Sequence, residues 1–185
     1  MMIALISLLL GLQAQANGPS LVAYDLKGKP VAPLVADGQS KATVLIFYIA
    51  HCPIGQKMTP EINRVFREFK PKGMRMYMVH EEMTMPPADL AKEAREYGLM
   101  PPILIDREHR LMSHCGARIS PQVFVYDARM KLQYHGRIND FFYGLGQMRS
   151  KVTHHDLRDA IAAVVQGLAP KVAKTEAVGC VLPTD

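Results

Sequence analysis

The chain has 185 residues, with 22 Lys and Arg against 17 Asp and Glu, a net charge of +5, three Cys, seven His, twelve Met and no Trp. A hydrophobic share of 49% and a charged share of 21% exclude a wholly disordered chain, and the length suits one domain with a full core. Three cysteines are too few for a disulfide scaffold or a four-Cys zinc site, and the scattered Lys and Arg argue against nucleic-acid binding.

Residues 1–16 read MMIALISLLLGLQAQA. Ile3–Leu12 is apolar apart from Ser7 and Gly11, and Ala14-Gln15-Ala16 supplies the small residues a signal peptidase reads. This is the layout of a secretory signal cleaved after Ala16, although the first residues carry no Lys or Arg. A buried N-terminal helix or an uncleaved anchor is the alternative. The expected division is therefore a signal over 1–16, a domain over 17–168 and a tail over 169–185. The mature protein is expected to be secreted or periplasmic, free of the membrane after cleavage, where thiols can oxidise.

Thr43–Ile49 is a continuous apolar, β-rich run, the pattern of a strand covered on both faces. Ile62, Val65, Phe66 and Phe69 form one face of a helix ended by Pro71 and Gly73. Met74–Val79 predicts a second strand. Thr84 is placed to cap a helix over Pro87–Tyr97, with Gly98 as its stop, and Ile103–Ile105 predicts a short strand. Val123–Asp127 and Lys131–Arg137 flank a three-residue turn and predict a hairpin. Asp156–Val165 is a last amphipathic helix, after which Pro, Lys, Ala and Gly dominate. The order predicts an α/β fold, a central mixed sheet flanked by helices, with an extended C-terminal tail.

Cys52 falls between the first strand and a helix that opens with Pro53. The unpaired N–H groups and the macrodipole at a helix N-terminus favour an anion, here a thiolate, and such placement lowers a thiol pKa. His51 is a candidate modulator, as a neighbouring positive charge or a proton acceptor. An inert buried cysteine is the alternative.

The segment Phe47-Tyr48-Ile49-Ala50-His51-Cys52-Pro53-Ile54-Gly55, with Pro60 eight residues after the cysteine, resembles the active-site region of thioredoxin-fold proteins. It is most similar to redoxin, or AhpC/TSA-like, domain proteins of bacterial secretory compartments. Ser120-Pro121 before Val123–Tyr126 resembles that family's cis-proline loop, His135–Asp140 resembles its "G-R-I-D" turn, and Lys174–Val181 resembles the tail of that redoxin subgroup. The resemblance implies a thioredoxin-like fold and a thiol-dependent redox activity without a cofactor. It implies a thiol or disulfide protein, or a peroxide, as partner, with Pro121 beside Cys52. Two departures bear on the chemistry. Gly55 stands where a thioredoxin dithiol has its second cysteine, so Cys52 cannot complete a dithiol cycle within its own turn. Ile49 and Leu45 stand where a peroxiredoxin has Thr or Ser and Pro, so a peroxide-holding hydroxyl is absent.

Cys180 lies five residues from the end, in a segment expected to be mobile, and is the candidate resolving thiol. A free tail thiol and a structural staple are its alternatives. Cys115 is read as a small buried residue. Three cysteines allow three single pairings, of which Cys52–Cys180 is preferred. Met74, Met76 and Met78 alternate and are read as core. A second functional class is a copper-binding or chaperone-like module with Cys52, His80, Met83 and Met85 as soft ligands, and a third is a catalytically silent interaction domain. Glu81-Glu82 is read as a solvated loop, and His154-His155 as solvated or capping.

Overall fold

The computed structural model describes residues 21–82 and 84–183, so the expected signal segment and Met83 lie outside the described residues. The elements begin with β1 (Ala23–Asp25), β2 (Pro30–Val31), β3 (Ala42–Tyr48), α1 (Pro53–Phe69), β4 (Met74–His80), α2 (Pro87–Glu96) and β5 (Ile103–Ile105). They continue with α3 (Arg110–Cys115), β6 (Ile119–Ser120), β7 (Gln122–Asp127) and β8 (Leu132–Gly136). The short β9 (Phe142–Gly144) and β10 (Gln147–Met148) precede α4 (Asp156–Val164) and β11 (Cys180–Val181).

All residues of β3 are buried, as its unbroken apolar run requires. It lies inside a seven-stranded mixed sheet, between β4 and β7 in the order β2-β1-β5-β4-β3-β7-β8. The strands β3, β4 and β5 run parallel, while β7 is antiparallel to β3 and β8 to β7. Alternation along β3 sends Val44, Ile46 and Tyr48 to one face, against α1, α2 and α4. Leu45 and Phe47 point to the other face, against Leu111, Met112 and Leu182. Met74, Met76 and Met78 are buried in the first of these cores. Each full burial of such a side chain stabilises the fold by about 1.5–3 kcal/mol. Among the described residues no helix is long and apolar enough to cross a membrane.

Four expectations need correction. The strands β1, β2, β6, β9 and β10 and the helix α3 lie outside the expected elements, because none is long enough to display a periodicity. Pro86, not Thr84, occupies the N-cap position of α2, with no side-chain cap bond, and the Thr84 hydroxyl bonds to Glu82 instead. Glu81 is fully buried rather than solvated, because its N–H continues the backbone bonding of β4 to Tyr48. Burial, and then the neighbouring Asp106, push its carboxyl up to about 9, while His109 Nδ1 lies 2.8 Å away.

The fourth correction concerns the tail. The segment after α4, expected to be mobile, is laid along the β8 edge of the sheet. His135 N donates to Ala173 O at 3.0 Å and Thr175 N to His135 O at 3.1 Å. The Thr175 hydroxyl lies 2.6 Å from Tyr134 Oη and accepts from Arg137 N at 3.0 Å. Farther on, β11 pairs antiparallel with β6, Cys180 opposite Ser120 and Val181 opposite Ile119. Leu182 completes the anchorage by burying itself in the second core.

Candidate active site

The parallel strands β3 and β4 end at the same side of the sheet, and β3 leads into the turn Ile49-Ala50-His51-Cys52. His51 takes a left-handed backbone, φ 59°, which costs a residue with a Cβ about 1–2 kcal/mol. That reversal delivers Cys52 to the N-cap of α1, with φ −71° and ψ 111° and Pro53 in the first turn. Proline suits this place because its missing N–H would have no intrahelical partner. Cys52 O accepts the first helical bond from Gln56 N at 2.9 Å.

Two separate segments converge on the Cys52 sulfur. From the loop before β7, Ser120 brings its carbonyl to 3.3 Å of Sγ, and the Ser120–Pro121 bond is cis. The Ser120 hydroxyl accepts from Ile49 N at 3.0 Å, fixing this loop to the end of β3. From the tail, β11 places Cys180 Sγ 2.6 Å from Cys52 Sγ. Both cysteines are thiols here, and Cys52 is 2% exposed beneath the tail.

The electrostatics separate the two sulfurs. Burial pushes the Cys52 thiol up, but the adjoining Cys180 thiol and the nearby backbone N–H groups of Gly55 and Cys180 favour its anion, and the balance is a lowered pKa. Cys180 is raised, by burial and then by the hydrogen bond it donates to Cys52. Cys52 is therefore the sulfur that ionises first and Cys180 the one that keeps its proton. Cys115 stands apart at the end of α3, its sulfur 3.1 Å from Tyr126 Oη. Burial pushes it up to about 12.

The other candidates fall as follows. The His51 side chain is 72% exposed and its Nδ1 is 3.9 Å from Glu93 Oε1, while its backbone N–H donates to that same oxygen at 2.8 Å. His80 is fully buried with its ring 5.3 Å from that of Tyr48 and neither ring nitrogen hydrogen-bonded. Burial lowers its pKa to about 4. Met85 packs against the first core, and Met83 lies outside the described residues. Among the described residues no three His, Cys, Asp or Glu side chains gather as metal ligands. Three contributors were not singled out from the sequence as site residues: the Gly55 N–H, the Ser120 hydroxyl and Glu93. Only Glu93 carried a signal, since it interrupts the apolar face of α2 three residues after Leu90.

Comparison with known proteins agrees with this architecture. The "Thiol-disulfide oxidoreductase ResA" of Bacillus thuringiensis (strain Al Hakam) is 26% identical over 118 residues, 63% of this chain and 65% of that protein. The chain thus matches just under two thirds of that relative's length. The crystal structure of a hypothetical protein from Sinorhizobium meliloti 1021 superposes with a TM-score of 0.74 at 24% identity, covering 87% of this chain and 88% of that one. The thioredoxin domain of a thiol-disulfide oxidoreductase from Bacteroides vulgatus gives 0.52 at 22% identity, over 60% of this chain and 79% of that one. At these identities the structures speak for the fold, which is thioredoxin-like, α/β with a central mixed sheet flanked by helices. The profile of the AhpC/TSA family matches residues 15–135, well over half of the chain, and the protein belongs to that family.

Proposed function

We propose that this protein is a thiol–disulfide oxidoreductase in which Cys52 is the nucleophile and Cys180 the resolving thiol. The observation that carries the reading is the 2.6 Å approach of the two sulfurs at the start of α1. In the reduced protein the Cys52 thiolate attacks one sulfur of a client disulfide. A Cys52–client bond forms, the client S–S bond breaks, and the departing client thiolate takes up a proton. Cys180 then loses its proton and attacks Cys52 Sγ, releasing the second client thiol and leaving a Cys52–Cys180 disulfide. An external dithiol reduces that disulfide and is itself oxidised. No cofactor enters this cycle. The partner is a protein thiol or disulfide, and the ResA relatives, whose name states such an activity, support that class. Ile49 and Leu45 offer a peroxide no hydroxyl or ring beside Cys52, which favours disulfide exchange over peroxide reduction. The segment 1–16 supports a site of action outside the cytoplasm, where client disulfides persist.

The test is redox equilibration in glutathione buffers followed by peptide mapping. A Cys52–Cys180 disulfide with Cys115 reduced is the expected product. In the reduced protein, iodoacetamide near pH 6.5 is expected to modify Cys52 well before Cys115. The sign follows from the pKa directions: the lowered thiol holds a larger thiolate fraction below pH 9, and a thiol at about 12 holds almost none. Equal rates at the two sites, or a dominant Cys52–Cys115 pair, would sink the assignment.

The gap at Gly55 offers an independent check. A Cβ built there lies 3.6 Å from Cys52 Cβ and 4.0 Å from its sulfur, inside the Cβ–Cβ range of about 3.5–4.5 Å that a disulfide spans. Gly55→Cys is expected to fold and to divert a large share of the Cys52–Cys180 bond into a bond within the turn. Peptide mapping of the oxidised variant measures the division.

A further inference from the structure

Glu93 is buried on α2, yet both polar contacts of its carboxylate reach the Cys52 turn. Oε1 accepts the His51 N–H at 2.8 Å and the Gln56 side-chain amide at 3.1 Å. His51 immediately precedes Cys52, and Gln56 donates its own backbone N–H to Cys52 O at 2.9 Å. One carboxylate oxygen therefore clasps the turn on both sides of the cysteine. The grip matters because the backbone there is in an uncommon state. His51 is left-handed at φ 59°, and its N–H points away from the β3 ladder toward α2. Released from its acceptor, that residue would relax to negative φ, and the direction in which Cys52 leaves the turn would change with it. Oε2 and Tyr48 Oη are buried without hydrogen-bond partners, and the two residues border a cavity of about 30 Å³ together with Gly55, Gln56, Leu90 and Pro121. A carboxylate oxygen buried without a partner is costly to keep for packing alone.

We infer that Glu93 is a positioning residue, holding the His51–Cys52 turn so that the Cys52 sulfur meets Cys180. The inference rests on the proposed exchange cycle and adds to it a residue on a separate helix. Its action runs through an accepted hydrogen bond rather than through charge. Glutamine at 93 keeps the acceptor, whereas leucine, of similar size, removes it.

The experiment follows the full-length protein carrying glutathione on Cys52 and times the release of glutathione as the Cys52–Cys180 bond closes. Glu93→Leu is expected to slow closure by roughly ten- to a hundredfold, the scale on which small misplacements of reacting groups act. Glu93→Gln is expected to restore the rate to within about threefold of the parent, a rescue that a role in charge would not permit. Hydrogen exchange over residues 49–56 is read in parallel, with faster exchange expected in Glu93→Leu and parental exchange in Glu93→Gln. Closure at the parental rate in Glu93→Leu, or equally slow closure in both variants, would overturn the inference. Should the parent itself fail to close, the exchange cycle falls, and unchanged hydrogen exchange in Glu93→Leu would then reject the clasp on its own. Glu93→Ala replaces the leucine variant if the latter does not fold.

Discussion

Cys52→Ser is expected to abolish disulfide exchange, and Cys180→Ser to stall it halfway. An alcohol stays protonated at neutral pH and cannot attack a disulfide, so the first loss should be on the order of 10³–10⁶-fold, as for deletion of an enzyme nucleophile. In Cys180→Ser the first attack still occurs, but no second sulfur lies within reach of Cys52, and the mixed disulfide with the client accumulates. A non-reducing gel, with mass spectrometry of the trapped species, reads this directly. Cys115→Ser is expected to turn over normally at a stability cost of about 1 kcal/mol, the usual size of a point-mutant effect. Its sulfur contacts Tyr126 on the other side of the sheet, in the second core. Trapping in Cys115→Ser but not in Cys180→Ser would mean that the resolving thiol has been misassigned.

The second large effect is expected from a residue with no chemistry of its own. Gly179 passes so close to Ser120 that a Cβ would overlap the Ser120 carbonyl oxygen. Backbone cannot yield there as a flexible side chain would. Gly179→Ala should therefore lift β11 off β6 and carry the Cys180 sulfur away from Cys52. Closure of the disulfide should slow by roughly a hundredfold, because a displacement of about 1 Å is enough for such a loss. Two further signs should accompany it. Cys52, 2% exposed beneath the tail, should become reachable by larger alkylating reagents. Its alkylation midpoint should also shift, because part of the burial that raises its pKa leaves together with the Cys180 thiol that lowers it. A parental closing rate with a parental alkylation profile would show that the tail strand does not govern the meeting of the sulfurs.

Residues read in their own neighbourhood were read well. The run Thr43–Ile49, the Cys52-Pro53 junction, the hairpin across Ala128–Met130 and the alternating Met74, Met76 and Met78 express local rules. A two-residue period, a proline at a helix start and a short turn each leave a mark within about ten residues. The direction of the Cys52 shift was legible for that reason, although the Gly55 N–H at the helix start lowers the pKa less than the Cys180 thiol, a tertiary contact. The copper reading depended on His80, Met83 and Met85 meeting Cys52, a matter of packing that spacing cannot express.

What only the tertiary structure decided is which distant residues stand around that sulfur. Cys180 reaches Cys52 through a strand of two residues, paired with Ser120 across sixty positions of sequence and held by Thr175 and Leu182. A pairing so short leaves no periodicity, and the surrounding Pro, Lys, Ala and Gly suggested a mobile tail. Glu93 arrives from α2 to a backbone N–H, a contact any carboxylate could make and no motif announces. Glu81, one residue past the end of β4, is buried because its N–H extends the bonding of that strand to Tyr48. The resemblance of separated motifs carried the thioredoxin-like scaffold, and local pattern alone determined the placing of Cys52 at a helix start. Its partner and its support were decided by chain closure, where hydrogen bonds and buried area far apart in sequence set the position of two sulfur atoms.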